Sequence, residues 1–231
     1  MPGYIIHLTE AKMITKILEE RKQLNNDFSH EWNQKFFYGA LLPDAVEKTK
    51  KGRSHFWNED KMQIIMQPQV DRFLDKYGIS LSNPVVLGYL AHLDLDNKFW
   101  NGYVKKSVEF LDENRNATEK IESLKCVYLK EKKESITAEQ FFSEDYLYGD
   151  YTILNKELID TYNIEVPKYD ASLNGLVQEV ENKEMKNVLD KLEKYTLESK
   201  KTKGDTKVLS LNKLKLFLQE TAQKFIREYI N

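Results

Sequence analysis

The stretch "NPVVLGYLAHLDLDNKFWNGYV", Asn83–Val104, is the most apolar helix-forming run of the chain, and it carries one of only four histidines together with two aspartates. Ser82 or Asn83 can cap a helix, and Pro84 suits the first helical position, where its missing N–H is not needed. The run therefore reads as a helix, continuing through "GYVKKSVEFLDE" (102–113). Residues four apart lie on one helical face, so His92 and Asp96 converge on one point. An imidazole and a carboxylate one turn apart suit a shared metal ion. A plain salt bridge is the competing reading. Asp94 is two residues from each and points to another face, so it reads as a solvent-facing or supporting carboxylate.

Outward from this helix the pattern stays helical. The chain holds nine glycines and five prolines and few alternating apolar runs, which argues against a multi-stranded sheet. Thr9 is a candidate cap for a helix through "EAKMITKILEERKQL". The stretch "NNDFSHEWNQKFFYGALLPDAVEK" predicts a shorter helix ending near Gly39, then a loop at Pro43 and Asp44. Pro68 and Gly78 bracket another helix with the expected asymmetry. Thr137 is placed to cap aromatic-rich helical turns that end by Pro167. An amphipathic stripe follows, formed by Leu173, Val177, Val180, Met185, Leu189 and Leu192. Leu214, Phe217, Leu218, Ala222 and Phe225 form the core face of a final helix, joined to the stripe by the charged connector "SKKTKGDTK". The expected fold class is all-α, a multi-helix bundle in one domain (1–231), with candidate metal ligands in residues 1–113 and a helical C-terminal half, 114–231. No internal repeat or low-complexity tract is present.

Composition bounds the function. With 231 residues, 41% of them hydrophobic, the chain can bury a core without disulfides or a structural metal. Its 35 basic and 37 acidic residues nearly cancel, so charge does not call for nucleic acid or an anionic membrane as partner. The single cysteine, Cys126, fits a reducing compartment. The N-terminal segment has no signal-peptide pattern, and no apolar run approaches transmembrane length. The expectation is a soluble cytoplasmic protein.

Three further candidates lie in apolar or aromatic surroundings: His7 in "YIIHLTE", Asp44 in "GALLPDAVE" and His55 in "KGRSHFW". Burying such groups is costly without a partner or a metal. Each also has an ordinary reading, Asp44 as a turn residue and His55 as a loop residue beside Trp57. His30, in "FSHEWNQ", has a more polar setting. Arg53 and Lys98 are candidate phosphate contacts. Trp57, Trp100 and Tyr103 are candidate pocket walls whose ordinary role is core packing.

Taken in order, His, then Gly-x-x-x-Pro-Asp, then Ser-His, then Gly-Tyr-Leu-x-His-x-x-x-Asp resembles the bacterial zinc-dependent phospholipase C family, which is related to helical single-strand-specific nucleases. Here the pattern is carried by "MPGYIIH", "GALLPD", "SHFW" and "LGYLAHLDLD", within roughly the first half of the chain. The resemblance implies an all-α fold around a zinc cluster, normally of three ions. It implies Asp44, His55, His92 and Asp96 on a first zinc, with Asp96 bridging to a second that takes His7. In the family an N-terminal amine and carbonyl complete that second site, whereas here His7 follows six residues after Met1. The remaining ion takes two later histidines and a glutamate. No histidine follows His92, and Phe99 and Trp100 stand where relatives place His-Pro. The expectation is one or two ions, zinc or another divalent metal.

The implied activity is metal-dependent hydrolysis of a phosphoric ester, a small molecule or lipid headgroup, by a metal-activated water, with Asp44 also orienting the water. The alternative is a non-catalytic helical binding or scaffold protein of the same fold. A third class, the HD-type phosphohydrolases, needs an adjacent His-Asp pair, and none occurs.

Overall fold

The computed structural model describes residues 2–21, 29–58, 63–181, 183–199 and 204–230. Helix α1 (Tyr4–Arg21) buries Ile5, Ile6, Leu8, Ala11, Ile14 and Leu18. Helix α2 (His30–Leu41) starts at Ser29, whose hydroxyl accepts the Trp32 N–H. A 3-10 turn, Leu42–Asp44, leads through a second, Lys48–Lys50, to the single helical turn α3 (Lys51–Ser54). Helix α4 (Val70–Tyr77) ends at Gly78, as the Pro/Gly bracketing predicts. Helix α5 (Pro84–Phe99) is capped by Asn83, whose Oδ1 accepts the Val85 N–H at 2.9 Å.

Beyond Phe99 the expected continuous helix gives way to a π-helical turn, Trp100–Val104, and a short helical piece, α6 (Lys105–Ser107). The chain then becomes strand. β1 (Val108–Leu111), β2 (Cys126–Leu129) and β3 (Glu134–Thr137) form an antiparallel sheet in the order β1-β2-β3. Val108 pairs with Leu129 and Val127 with Ile136. The fold is mostly helical and not purely all-α, which corrects the sequence reading. Each strand is only four residues long, too short for its two-residue alternation to stand out in sequence.

Thr137 does cap a helix: α7 (Ala138–Phe141) carries a reciprocal capping box between Thr137 and Gln140. Helix α8 (Leu147–Tyr162) stops before Pro167, with Asn163 in the left-handed region. Leu173, Val177 and Val180 are buried as expected but lie ahead of α9 (Lys183–Ser199), in a segment without regular helix apart from a 3-10 turn at Ala171–Leu173. Helix α10 (Leu211–Tyr229) buries all five expected core residues. Thr9 does not cap α1, which begins five residues earlier. It lies inside the helix and donates to the Ile5 carbonyl at 2.7 Å. The expected start of α2 near Asn25 and part of the 199–207 connector lie outside the described residues.

Two glycines set the central packing. A Cβ on Gly88 would stand 2.1 Å from the Phe36 carbonyl oxygen, and one on Gly39 would stand 2.1 Å from that of Val85. Helices α2 and α5 thus touch backbone to backbone, closer than any other residue permits. α5 also packs against α1, α4 and α10. It is apolar nearly all round, as a central helix must be. Among the described residues no helix is long and apolar enough to cross a membrane.

Candidate metal centre

The close crossing of α2 and α5 has a local consequence. The last carbonyls of a helix lack partners within it. That of Ala40, near the end of α2, accepts a hydrogen bond from His92 Nδ1 at 2.8 Å. A carbonyl can only accept, so Nδ1 carries a proton and Nε2 turns inward.

His55 is set in the same way. It follows α3, and its Nδ1 lies 3.1 Å from the Lys51 carbonyl and 2.9 Å from Ser54 Oγ. Ser54 itself donates to the Pro43 carbonyl at 2.8 Å, leaving its oxygen free to accept. The buried Tyr89 hydroxyl donates to the Ser54 carbonyl and ties this turn to α5. Phe56, next along, adopts a left-handed backbone (φ 52°) and packs edge-on against Phe73. His55 Nε2 therefore also faces inward, 3.3 Å from His92 Nε2.

Carboxylates surround this pair. Asp96 Oδ2 is 3.5 Å from His55 Nε2 and 3.6 Å from His92 Nε2. Asp44 Oδ1, from the turn after α2, is 3.4 Å from His55 Nε2. Asp96 Oδ1 is 3.4 Å from His7 Nε2, and the His7 ring stacks on that of His92 at 3.7 Å. These separations are long for hydrogen bonds. Each falls in the range expected of two ligands on one ion, because ligand atoms about 2.0–2.2 Å from a tetrahedral ion stand roughly 3.3–3.6 Å apart. Both Asp96 oxygens and both His7 nitrogens are buried without a hydrogen-bond partner, a rare state for such groups. Two sets of ligand atoms, His7/His92/Asp96 and Asp44/His55/His92, are compact enough to hold an ion.

The electrostatics agree with a site that wants a cation. Burial lowers the His7 pKa to about 4, assisted by the positive charge of His92, so His7 offers a neutral lone pair at pH 7. For His92 burial works downward, but Asp96 prevails and raises it. Burial would raise Asp96 and Asp44. The His92 and His7 contacts hold Asp96 well below the usual carboxylate range, and His55, His92 and Lys51 do so for Asp44. Both acids are thus ionised.

All five sequence candidates, His7, Asp44, His55, His92 and Asp96, lie in this one cluster. His30 lies elsewhere, in a surface groove with Tyr38 and Tyr169. Arg53 donates to the Gln178 carbonyl, and Lys98 is paired with Asp94 and Glu228. Asp94 is buried, not solvent-facing, and pairs with Lys98 at 2.6 Å. Trp100 and Tyr103 are core residues, against Phe110 and Phe217 respectively, while the Trp57 ring lies 5.5 Å from that of His55. Two neighbours have no signal in the sequence. Lys51 Nζ sits 2.6 Å from Asp44 Oδ1. Glu10, one turn beyond His7, is buried with Oε1 unpartnered, and burial followed by the Asp94 charge pushes its pKa well up.

No protein-family model, curated protein or solved structure matches this chain.

Proposed function

We propose that the cluster is a divalent-metal centre, with zinc as its ion, and that the protein hydrolyses phosphoric esters in the manner of the phospholipase C-type enzymes its motif order resembles. The observation that carries the reading is the convergence of inward-facing nitrogens and carboxylate oxygens at 3.3–3.6 Å, among which both His7 nitrogens and both Asp96 oxygens are buried without a hydrogen-bond partner. Asp44, His55, His92 and Asp96 would hold a first ion, and His7 with the other Asp96 oxygen a weaker second. Such an ion supplies Lewis acidity and a water acidified towards neutral pH.

The remaining roles belong to the chain. Ala40 and Lys51 carbonyls fix the tautomers that make both histidines donors of a lone pair. Asp44 has a depressed pKa, which suits a ligand that orients water by accepting a hydrogen bond better than one that stores its proton. Phe99 and Trp100 are buried among Tyr103, Phe217 and Phe110, so this part of the chain offers packing where the resemblance implies further ligands. The substrate we assign is a phosphate ester, a small molecule or lipid headgroup. The single, unpaired Cys126 supports a reducing, cytoplasmic setting.

One observation favours a second reading. His7, His55, His92 and Asp96 are at most 2% exposed, and Lys51 covers Asp44. A sealed centre of this kind suits a structural ion in a non-catalytic binding or scaffold protein. Hydrolysis of bis-p-nitrophenyl phosphate by zinc-loaded protein separates the two. Turnover that Asp44→Asn and His55→Ala abolish supports the enzyme; zinc uptake with no turnover on diesters or monoesters supports the scaffold.

A further inference from the structure

The Lys51 ammonium holds the one candidate ligand that approaches solvent. Asp44 is 8% exposed, whereas the other four are at most 2% exposed. Lys51 Nζ lies 2.6 Å from Asp44 Oδ1, the same oxygen that stands 3.4 Å from His55 Nε2. An ammonium on that oxygen repels a divalent ion beside His55 and competes with it for the same carboxylate. The Lys51 side chain is itself 25% exposed, so it has a path to solvent that the buried ligands lack. Its backbone is already fixed by the two bonds that its carbonyl accepts from His55, the N–H at 2.9 Å and Nδ1 at 3.1 Å. Only the side chain needs to move.

Resting on the metal-centre reading, we propose that Lys51 is an exchangeable counter-cation. It neutralises Asp44 while the centre is metal-free, gives up that oxygen when a divalent ion binds, and then stands at the mouth of the centre to receive a phosphate oxygen. Lys51 is thus a positioning residue for an anionic phosphate group. An ammonium on a flexible stem suits both states, because it acts as a point charge without the fixed geometry of a guanidinium.

Amine labelling of the wild-type protein tests each part. The chelated protein, the zinc-loaded protein freed of excess zinc, and the zinc-loaded protein with inorganic phosphate are acetylated briefly with an N-hydroxysuccinimide ester. Labelling at every lysine is then read by peptide mass spectrometry. Lys51 should label several-fold faster after zinc loading, with exposed lysines unchanged, and phosphate should restore its protection. Lys51→Met should bind zinc several-fold tighter than wild type, since a competing cation is removed, and its thermal midpoint should be lower than that of wild type in the chelated state, where Asp44 is left without its counter-charge. Zinc uptake with Lys51 labelling unchanged or slowed overturns the exchange. Faster labelling that phosphate does not reverse overturns the anion role. Protein that takes up no zinc at all overturns the metal-centre reading, and this inference with it.

Discussion

His55 Nε2 and His92 Nε2 face each other at 3.3 Å, each turned inward by a carbonyl that holds the opposite ring nitrogen. Two lone pairs cannot rest there without a positive charge between or beside them. In metal-free protein Asp96 outweighs burial and raises the His92 pKa, which favours a proton on this pair. Zinc binding should therefore release protons at pH 7, and affinity should rise with pH above 6.5, where free histidine is already neutral. Calorimetry in buffers of different ionisation enthalpy measures this release. Zinc binding that releases no proton would mean that His92 is already neutral.

Acid stability should report His7. Its pKa falls from 6.5 in the unfolded chain to about 4 in the fold, so between these values the unfolded state binds the extra proton. Its contribution is full above pH 6.5 and is lost as pH falls towards 4, amounting to about 3 kcal/mol. Urea unfolding of chelated wild type and His7→Gln across pH 4–7 isolates it. Wild type should lose stability relative to the variant over that window.

Glu10 should behave in the opposite sense. Its folded pKa is raised by burial and by Asp94, so the unfolded carboxyl ionises first and stability falls as pH rises above about 4.5. Glu10→Gln removes that cost. It should raise the thermal midpoint at pH 7 relative to wild type. Below pH 4 wild type and variant should melt together.

Gly88→Ala tests the helix crossing that orients His92. Its Cβ would meet the Phe36 carbonyl oxygen at 2.1 Å, so α2 and α5 must part. A cost of about 1–3 kcal/mol or more is expected in urea unfolding, together with weaker zinc binding as Ala40 withdraws from His92. Gly78→Ala is the control, since nothing lies within 4 Å of its added Cβ.

Much of this arrangement can be read from residue order. Pro84 and Asn83 mark the start of α5, and four-residue spacing puts His92 and Asp96 on one face. The two glycines of the motif acquire a reason only in the fold, as the contact points of α2 and α5. Of the two readings of Asp94, the solvent-facing one fails because α5 is buried on nearly every side, so a residue off the metal-facing side still meets protein, here Lys98. Glu10 and Lys51 carry no local signal: one sits in an ordinary "TEAK" and the other in the Lys-rich "KTKKGR". Their roles come from elements far away in sequence. The sheet leaves little trace in the sequence because each strand is four residues long and β1 follows directly on the helical turn α6.

Metal content of protein purified without chelator tests the central claim most directly, measured by elemental analysis for wild type, His92→Ala and Asp96→Ala. Wild type should retain one or two divalent ions, or gain thermal stability when zinc is added after chelation, and both variants should lose most of that binding. Wild type that holds no zinc, manganese or iron and shows no thermal shift with any of them would contradict the account.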